Sequence, residues 1–213
     1  MYTCAKCGAL GCTKGDLERT LKDCPSRNER LQAEAMEKYG DAETKAIALN
    51  AACVEAGGYC EDTRLVEIIK FMHRCDYKKI GLAFCSGFIN EARVVTKVLE
   101  YNGFEVISVI CKNGAHPKAD LGLKPEDTIN GDPESEIMCN PVGQAKVLNE
   151  SKTDFNIILG LCVGHDTLFI KYAQSPVTIL AVKDRVTGHN PLAAVYCSEG
   201  YYKNKLYPED PYR

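Results

Sequence analysis

The stretch Phe155–Asp166, FNIILGLCVGHD, constrains the chain most. A short apolar run leads into a cysteine flanked by Gly160 and Gly164, then His165, then Asp166, which is placed to cap a following helix. Two earlier runs of the same kind, KKIGLAFC and FEVISVIC, also end in cysteine, at Cys85 and Cys111. Between them lies the helical pattern SGFINEARVVTKVLEYNG. Two apolar strands joined by a helix imply a right-handed parallel crossover.

Strands at about 79–85, 104–111, 157–162 and 177–182 in the order 2-1-3-4 make a Rossmann-like or flavodoxin-like α/β sheet. Their C-terminal ends share one edge, and the first and third strands flank the crevice where the winding reverses. Cys85 and Cys162 are expected there, with Cys111 one strand over. Cys139 arrives just before a helix that Asn140 caps and Pro141 starts. Cys85, Cys139 and Cys162 each precede a helix start, where partial positive charge favours thiolate. The four thiols are therefore expected to bind a second cofactor or to run thiol chemistry. Cys85, Cys162 and His165 are the catalytic candidates. His165 can also be hydrogen-bonded to loop backbone, and Asp166 is read as a cap. Lys183, Asp184 and Arg185 end the fourth strand on the same edge, as an anion-binding group or as solvated charge, and Gly188-His189-Asn190-Pro191 reads as a second loop-to-helix start with Asn190 as cap. The loop CSGFIN is no G-x-G-x-x-G fingerprint, and no acidic residue ends the second strand, which speaks against dinucleotide binding.

Upstream, residues 1–25 form a cysteine knuckle with Cys4, Cys7, Cys12 and Cys24. Two thiolates separated by two residues can chelate one ion, and the segment has few apolar residues to bury, so a metal cross-link is expected. Cys24-Pro25 resembles the close of an iron–sulfur run, so a cluster of the 4Fe–4S type is placed ahead of zinc. A redox dithiol is the rival. Residues 26–76 read as helices. Ser26 with Glu29 makes a capping box for the first, Asp41 caps the second, and Asp62 or Thr63 starts a third with Leu65, Ile68, Ile69 and Met72 on one face. Cys53 is expected to pack inside a helix and Cys60 to lie in a loop; Cys75 and His73 are surface residues by default. Residues 77–213 are the α/β domain. The loop-rich 112–140 is a candidate lid that includes His116.

A formal net charge of −3 and scattered lysine and arginine give no nucleic-acid surface, and no apolar run reaches membrane-spanning length. The opening MYTCAKCG lacks a signal-peptide core, so the cytoplasm is expected. In that compartment 12 cysteines point to metal or redox chemistry more than to disulfides.

The combination of Cys4-x2-Cys7-x4-Cys12 with Cys24-Pro25, Cys139-Asn140-Pro141-x-Gly143-Gln144-Ala145, Gly160–Asp166, and Lys183-Asp184-Arg185 with Gly188-His189-Asn190-Pro191 resembles a family of cysteine-rich microbial proteins over nearly the full length. That family is domain of unknown function 1847, whose members are labelled predicted metal-binding. The resemblance implies metal binding and transfers no reaction.

Three functions follow as expectations. The first is an iron–sulfur or other metal-dependent redox protein, an oxidoreductase acting with an electron partner or a small substrate. The second is a zinc-stabilised carrier, store or sensor of soft metal. The third is a cofactor-free enzyme with Cys85 or Cys162 as nucleophile.

Overall fold

The computed structural model describes residues 2–209. The chain divides into two compact units, Met1–Glu61 and Asp62–Arg213.

The first unit opens with short 3-10 turns at Cys4–Lys6, Gly11–Lys14, Leu17–Arg19 and Pro25–Arg27. Two helices follow, α1 (Glu29–Lys38) and α2 (Ala42–Gly58). Arg27 ties the turns together, donating from Nε to Thr20 Oγ1 at 2.7 Å and from Nη2 to the Glu18 carbonyl at 2.9 Å. The cap of α1 is Asn28, whose side chain accepts from the Leu31 N–H. The expected Ser26–Glu29 capping box does not form, because Pro25 draws Ser26 into a 3-10 turn that ends at Asn28. Asp41 caps α2 as its sequence position suggests, accepting from the Thr44 N–H at 2.8 Å. Cys53 is exposed on α2 rather than packed. Among the described residues of this unit, Val54 is the one buried hydrophobic side chain.

The second unit is a four-stranded parallel sheet flanked by helices, a Rossmann-like or flavodoxin-like architecture. It begins with α3 (Arg64–Arg74), whose Ile68, Ile69 and Met72 are buried in the sheet's core. This helix thus belongs by its packing with the sheet, although its sequence neighbours are the helices of 26–76. Then come β1 (Lys79–Phe84), α4 (Ile89–Tyr101), β2 (Glu105–Ile110), α5 (Pro141–Glu150), β3 (Phe155–Leu161), α6 (His165–Tyr172) and β4 (Val177–Val182). Two short helices close the unit, α7 (Leu192–Tyr196) and α8 (Lys203–Leu206).

The sheet order is β2-β1-β3-β4, all parallel. The two central strands are apolar almost throughout because helices must cover both faces of a parallel sheet. Ile80, Leu82 and Ile157 have no exposed surface, and each contributes about 1.5–3 kcal/mol by burial. Right-handed crossovers require α4 on one face and α5 with α6 on the other. Accordingly, Asn149 of α5 donates from Nδ2 to the Tyr172 carbonyl of α6 at 2.9 Å.

Two glycines permit close approaches. A Cβ at Gly81 would stand 2.0 Å from Asn156 Oδ1, so this position makes room for a buried polar side chain held by Thr153. Gly160 has φ +66 and lies where the register of β3 against β4 shifts; a Cβ there would meet the Phe88 ring at 2.1 Å.

Candidate thiol site at the sheet edge

The C-terminal ends of the strands bring Cys85, Cys111 and Cys162 to one rim, because each directly follows β1, β2 or β3. Cys139 reaches the same rim by a longer route. The excursion after β2 doubles back through a Pro117–Ile137 bridge, a Lys118–Glu136 ion pair and a bond from the Met138 N–H to the His116 carbonyl at 2.8 Å. The Asn140 N–H then donates to the Cys111 carbonyl at 2.7 Å. Two side-chain amides complete the clasp. Asn113 Nδ2 donates to the Asn140 carbonyl at 3.0 Å, and Asn140 Nδ2 donates to the Asn113 carbonyl at 3.3 Å. Asn140 Oδ1 also caps α5 through the Gly143 N–H at 2.8 Å. Under the rim, buried Gln144 donates to the carbonyls of Phe84 and Val109, bracing the ends of β1 and β2.

The sulfurs of Cys139 and Cys111 are 3.8 Å apart, in hydrogen-bonding contact. The Ser86 N–H points at Cys111 Sγ from 3.3 Å. Cys111 is 1% exposed, whereas Cys139 is partly open. The hydrogen bond with Cys111 lowers the Cys139 thiol to about 6, with help from Lys112 and against burial and the neighbouring Cys85 and Cys162. Cys85 goes the other way. Its hydrogen bond with Cys111 and its burial push it up to about 12. One thiolate and one neutral thiol thus share a neighbour. Cys85, a catalytic candidate by sequence, suits the role of a neutral donor better than that of a nucleophile.

Burial holds His165 below its ordinary range, so it is neutral at pH 7. It is the first residue of α6, and Asp166 is the second, accepting from the Thr167 N–H at 2.7 Å. The cap position is Gly164, so Asp166 is not the cap; the tight turn from Cys162, with φ +83 at Gly164, starts the helix two residues early. Arg185 Nη2 reaches Cys162 Sγ at 3.6 Å. Lys183 Nζ lies 4.3 Å from the centre of the Phe88 ring. Asp184 is occupied by its own loop, accepting from the Val186 and Thr187 N–H groups. Asn190 does not cap α7; Pro191 stands at that position, and His189 Nδ1 accepts from the Asp184 N–H instead. His116 is exposed and faces Asp120 at 3.4 Å.

In the first unit, Cys4, Cys7 and Cys24 line one small cavity with Asp23, while Cys12 lies outside that lining. The 3-10 turn at Cys4–Lys6 brings the Cys7 N–H onto the Cys4 carbonyl at 3.0 Å. Hydrogen bonds from Ser26, and more weakly one from Thr20 and the nearby charge of Arg27, lower the Cys24 thiol. Among the described residues, no group of three or more His, Cys, Asp or Glu side chains is arranged so that it could hold a metal ion without moving. Cys60 is exposed at positive φ, and Cys75 is partly buried. Lys112 and Asn113 escape sequence reasoning. One is a lone lysine and the other a lone asparagine in a loop, and nothing in their spacing signals the thiol pair they support.

Fold and site together define a cysteine-rich α/β protein with a thiol cluster at the C-terminal edge of a parallel sheet. The chain belongs to the family described as protein of unknown function, DUF1847, whose family model matches residues 24–180. It is also similar to the uncharacterised protein MJ0455 of Methanocaldococcus jannaschii, with 44% identity over 203 residues, covering 95% of this chain and 97% of that protein. The cysteine content fits a metal-binding role. No helix among the described residues is long and apolar enough to cross a membrane.

Proposed function

We propose that this is a metal-binding thiol protein, with the metal held by the N-terminal cysteines and thiol chemistry carried out at the sheet edge. The observation that carries the reading is the sorting of the cysteines into two kinds. In the first unit Cys4, Cys7 and Cys24 line a small cavity in a segment almost without a core. In the second, Cys85, Cys111, Cys139 and Cys162 are gathered at a packed rim with one activated thiol, Cys139.

The donor set of Cys4, Cys7 and Cys24, with Cys12 as the fourth, fits a thiophilic metal. A knuckle of this kind closes on its ion as it folds, so the thiols need not stand preassembled. Bound there, an iron–sulfur cluster would supply one-electron transfer, and zinc, the alternative, a structural cross-link. Ser26 and Arg27 favour the Cys24 thiolate that either would need. At the sheet edge Cys139 is the nucleophile, Cys111 holds its charge, and neutral His165 is available to receive or return a proton.

Elemental and sulfide analysis of an air-free preparation tests this assignment. Iron with sulfide, or zinc, is expected in the natural chain, lost in Cys7→Ser and kept in Cys139→Ser. A metal-free protein, or metal lost on changing Cys139, overturns it.

A further inference from the structure

We infer that Cys139 and Cys111 are a thiol–disulfide exchange pair, Cys139 attacking and Cys111 resolving, and that their substrate is a small anionic disulfide. The inference rests on the reading of the sheet edge as a thiol site.

Geometry assigns the roles. Cys139 is the sulfur that a small molecule can reach, and Cys111 is buried directly behind it at 3.8 Å. A disulfide needs its sulfurs at about 2.05 Å, so closing the pair takes a movement of roughly 2 Å. The clasp of Asn113 and Asn140, with the Asn140 N–H on the Cys111 carbonyl, holds the two backbones together while the side chains turn. The Ser86 N–H at Cys111 Sγ favours charge on that sulfur as it becomes the second nucleophile.

The chemistry balances without a cofactor. Cys139 thiolate attacks one sulfur of RS–SR, the S–S bond breaks, and RS⁻ leaves and takes up a proton. Cys111, giving its proton to solvent, attacks Cys139 Sγ and expels the second RS⁻. Two electrons pass from the pair to the substrate, yielding two thiols and a Cys111–Cys139 disulfide. Exchange with two thiols of the same class runs the step backwards and restores the pair.

Charge selects the substrate. Arg185 stands on Cys162, Lys183 lies over Phe88 beside Cys85, and Lys112 faces Cys139 while donating to the Ile137 carbonyl. Lys118 is neutralised by Glu136, and Asp166 is the opposing charge beside His165. Asp184, between Lys183 and Arg185, is a second carboxylate, its charge held by the Val186 and Thr187 N–H groups of its own loop. Three cations against two carboxylates, one of them so occupied, in a chain of net charge −3, make a local field that draws an anion.

The test uses the reduced full chain, prepared without air, with glutathione disulfide as the anionic probe and cystamine as the cationic one. Mass spectrometry after alkylation should find Cys111 cross-linked to Cys139 in the natural chain. Cys111→Ser should trap one glutathione on Cys139, and Cys139→Ser should give neither product. Glutathione disulfide should react roughly tenfold faster than cystamine, and Lys112→Gln with Arg185→Gln should erase that preference. An adduct on another cysteine, equal rates for the two probes, or no cross-link in the natural chain overturns the inference. The natural-chain measurement needs no variant to fold. Metal analysis of the same samples separates the failures. If Cys139→Ser loses metal, the thiol reading itself falls; with metal unchanged and no cross-link, only the exchange pair falls.

Discussion

Cys139 and Cys85 have the same side chain and touch the same neighbour, yet Cys111 drives their thiols in opposite directions. Sequence position suggests that both gain from a nearby helix start. What differs is which partner carries the charge and which stays protonated, and that depends on a contact across segments 28 residues apart. A pH dependence follows. The Cys139 thiolate persists as pH falls until about 6, so its alkylation by iodoacetamide should be level at neutral pH and drop as pH passes below about 6. Cys111→Ala removes the largest favourable contact and should move that midpoint up toward the ordinary 9.0. Peptide-resolved alkylation rates across pH check both. The same sign applies to stability. A depressed thiol in the folded state stabilises the fold fully above its unfolded value of 9.0 and loses that contribution as pH falls toward 6.

The strands and most helices were legible because burial writes itself into composition. Continuous apolar runs locate β1 and β3 to within two residues, and the 3.6-residue spacing of Ile68, Ile69 and Met72 locates the buried face of α3. Caps were legible only where one polar residue had no competitor, as at Asp41 and Asn140. Ser26, Asp166 and Asn190 have the right chemistry, but a neighbouring 3-10 turn, a left-handed glycine or a proline sets the actual boundary. Asn140 is the element boundary that the site depends on most. Asn140→Ala removes the α5 cap and half of the clasp to Asn113, and should cost about 1–2 kcal/mol in urea unfolding. It should also slow formation of the Cys111–Cys139 cross-link, since the excursion would no longer be anchored beside β2.

The two units solve the problem of stability differently. The second buries a continuous apolar core around its sheet, whereas the first has one buried hydrophobic side chain among its described residues. Sixty-odd residues with so little core need another cross-link, which the proposed metal supplies. Chelation of the air-free protein should therefore abolish amide protection in peptides covering residues 4–24 while leaving those of β1 and β3 protected. Hydrogen exchange read by mass spectrometry checks this, and unchanged protection throughout would argue against a structural metal. From residue order alone came the parallel sheet, its winding, and the gathering of Cys85, Cys111 and Cys162 at one rim, because hydrophobic periodicity and crossover handedness are local rules. Folding in space decided which thiols touch, which of them is charged, and that Lys112, Asn113 and Arg185 serve them. Hydrogen bonds and fields act over a few ångströms of space, whatever the distance along the chain.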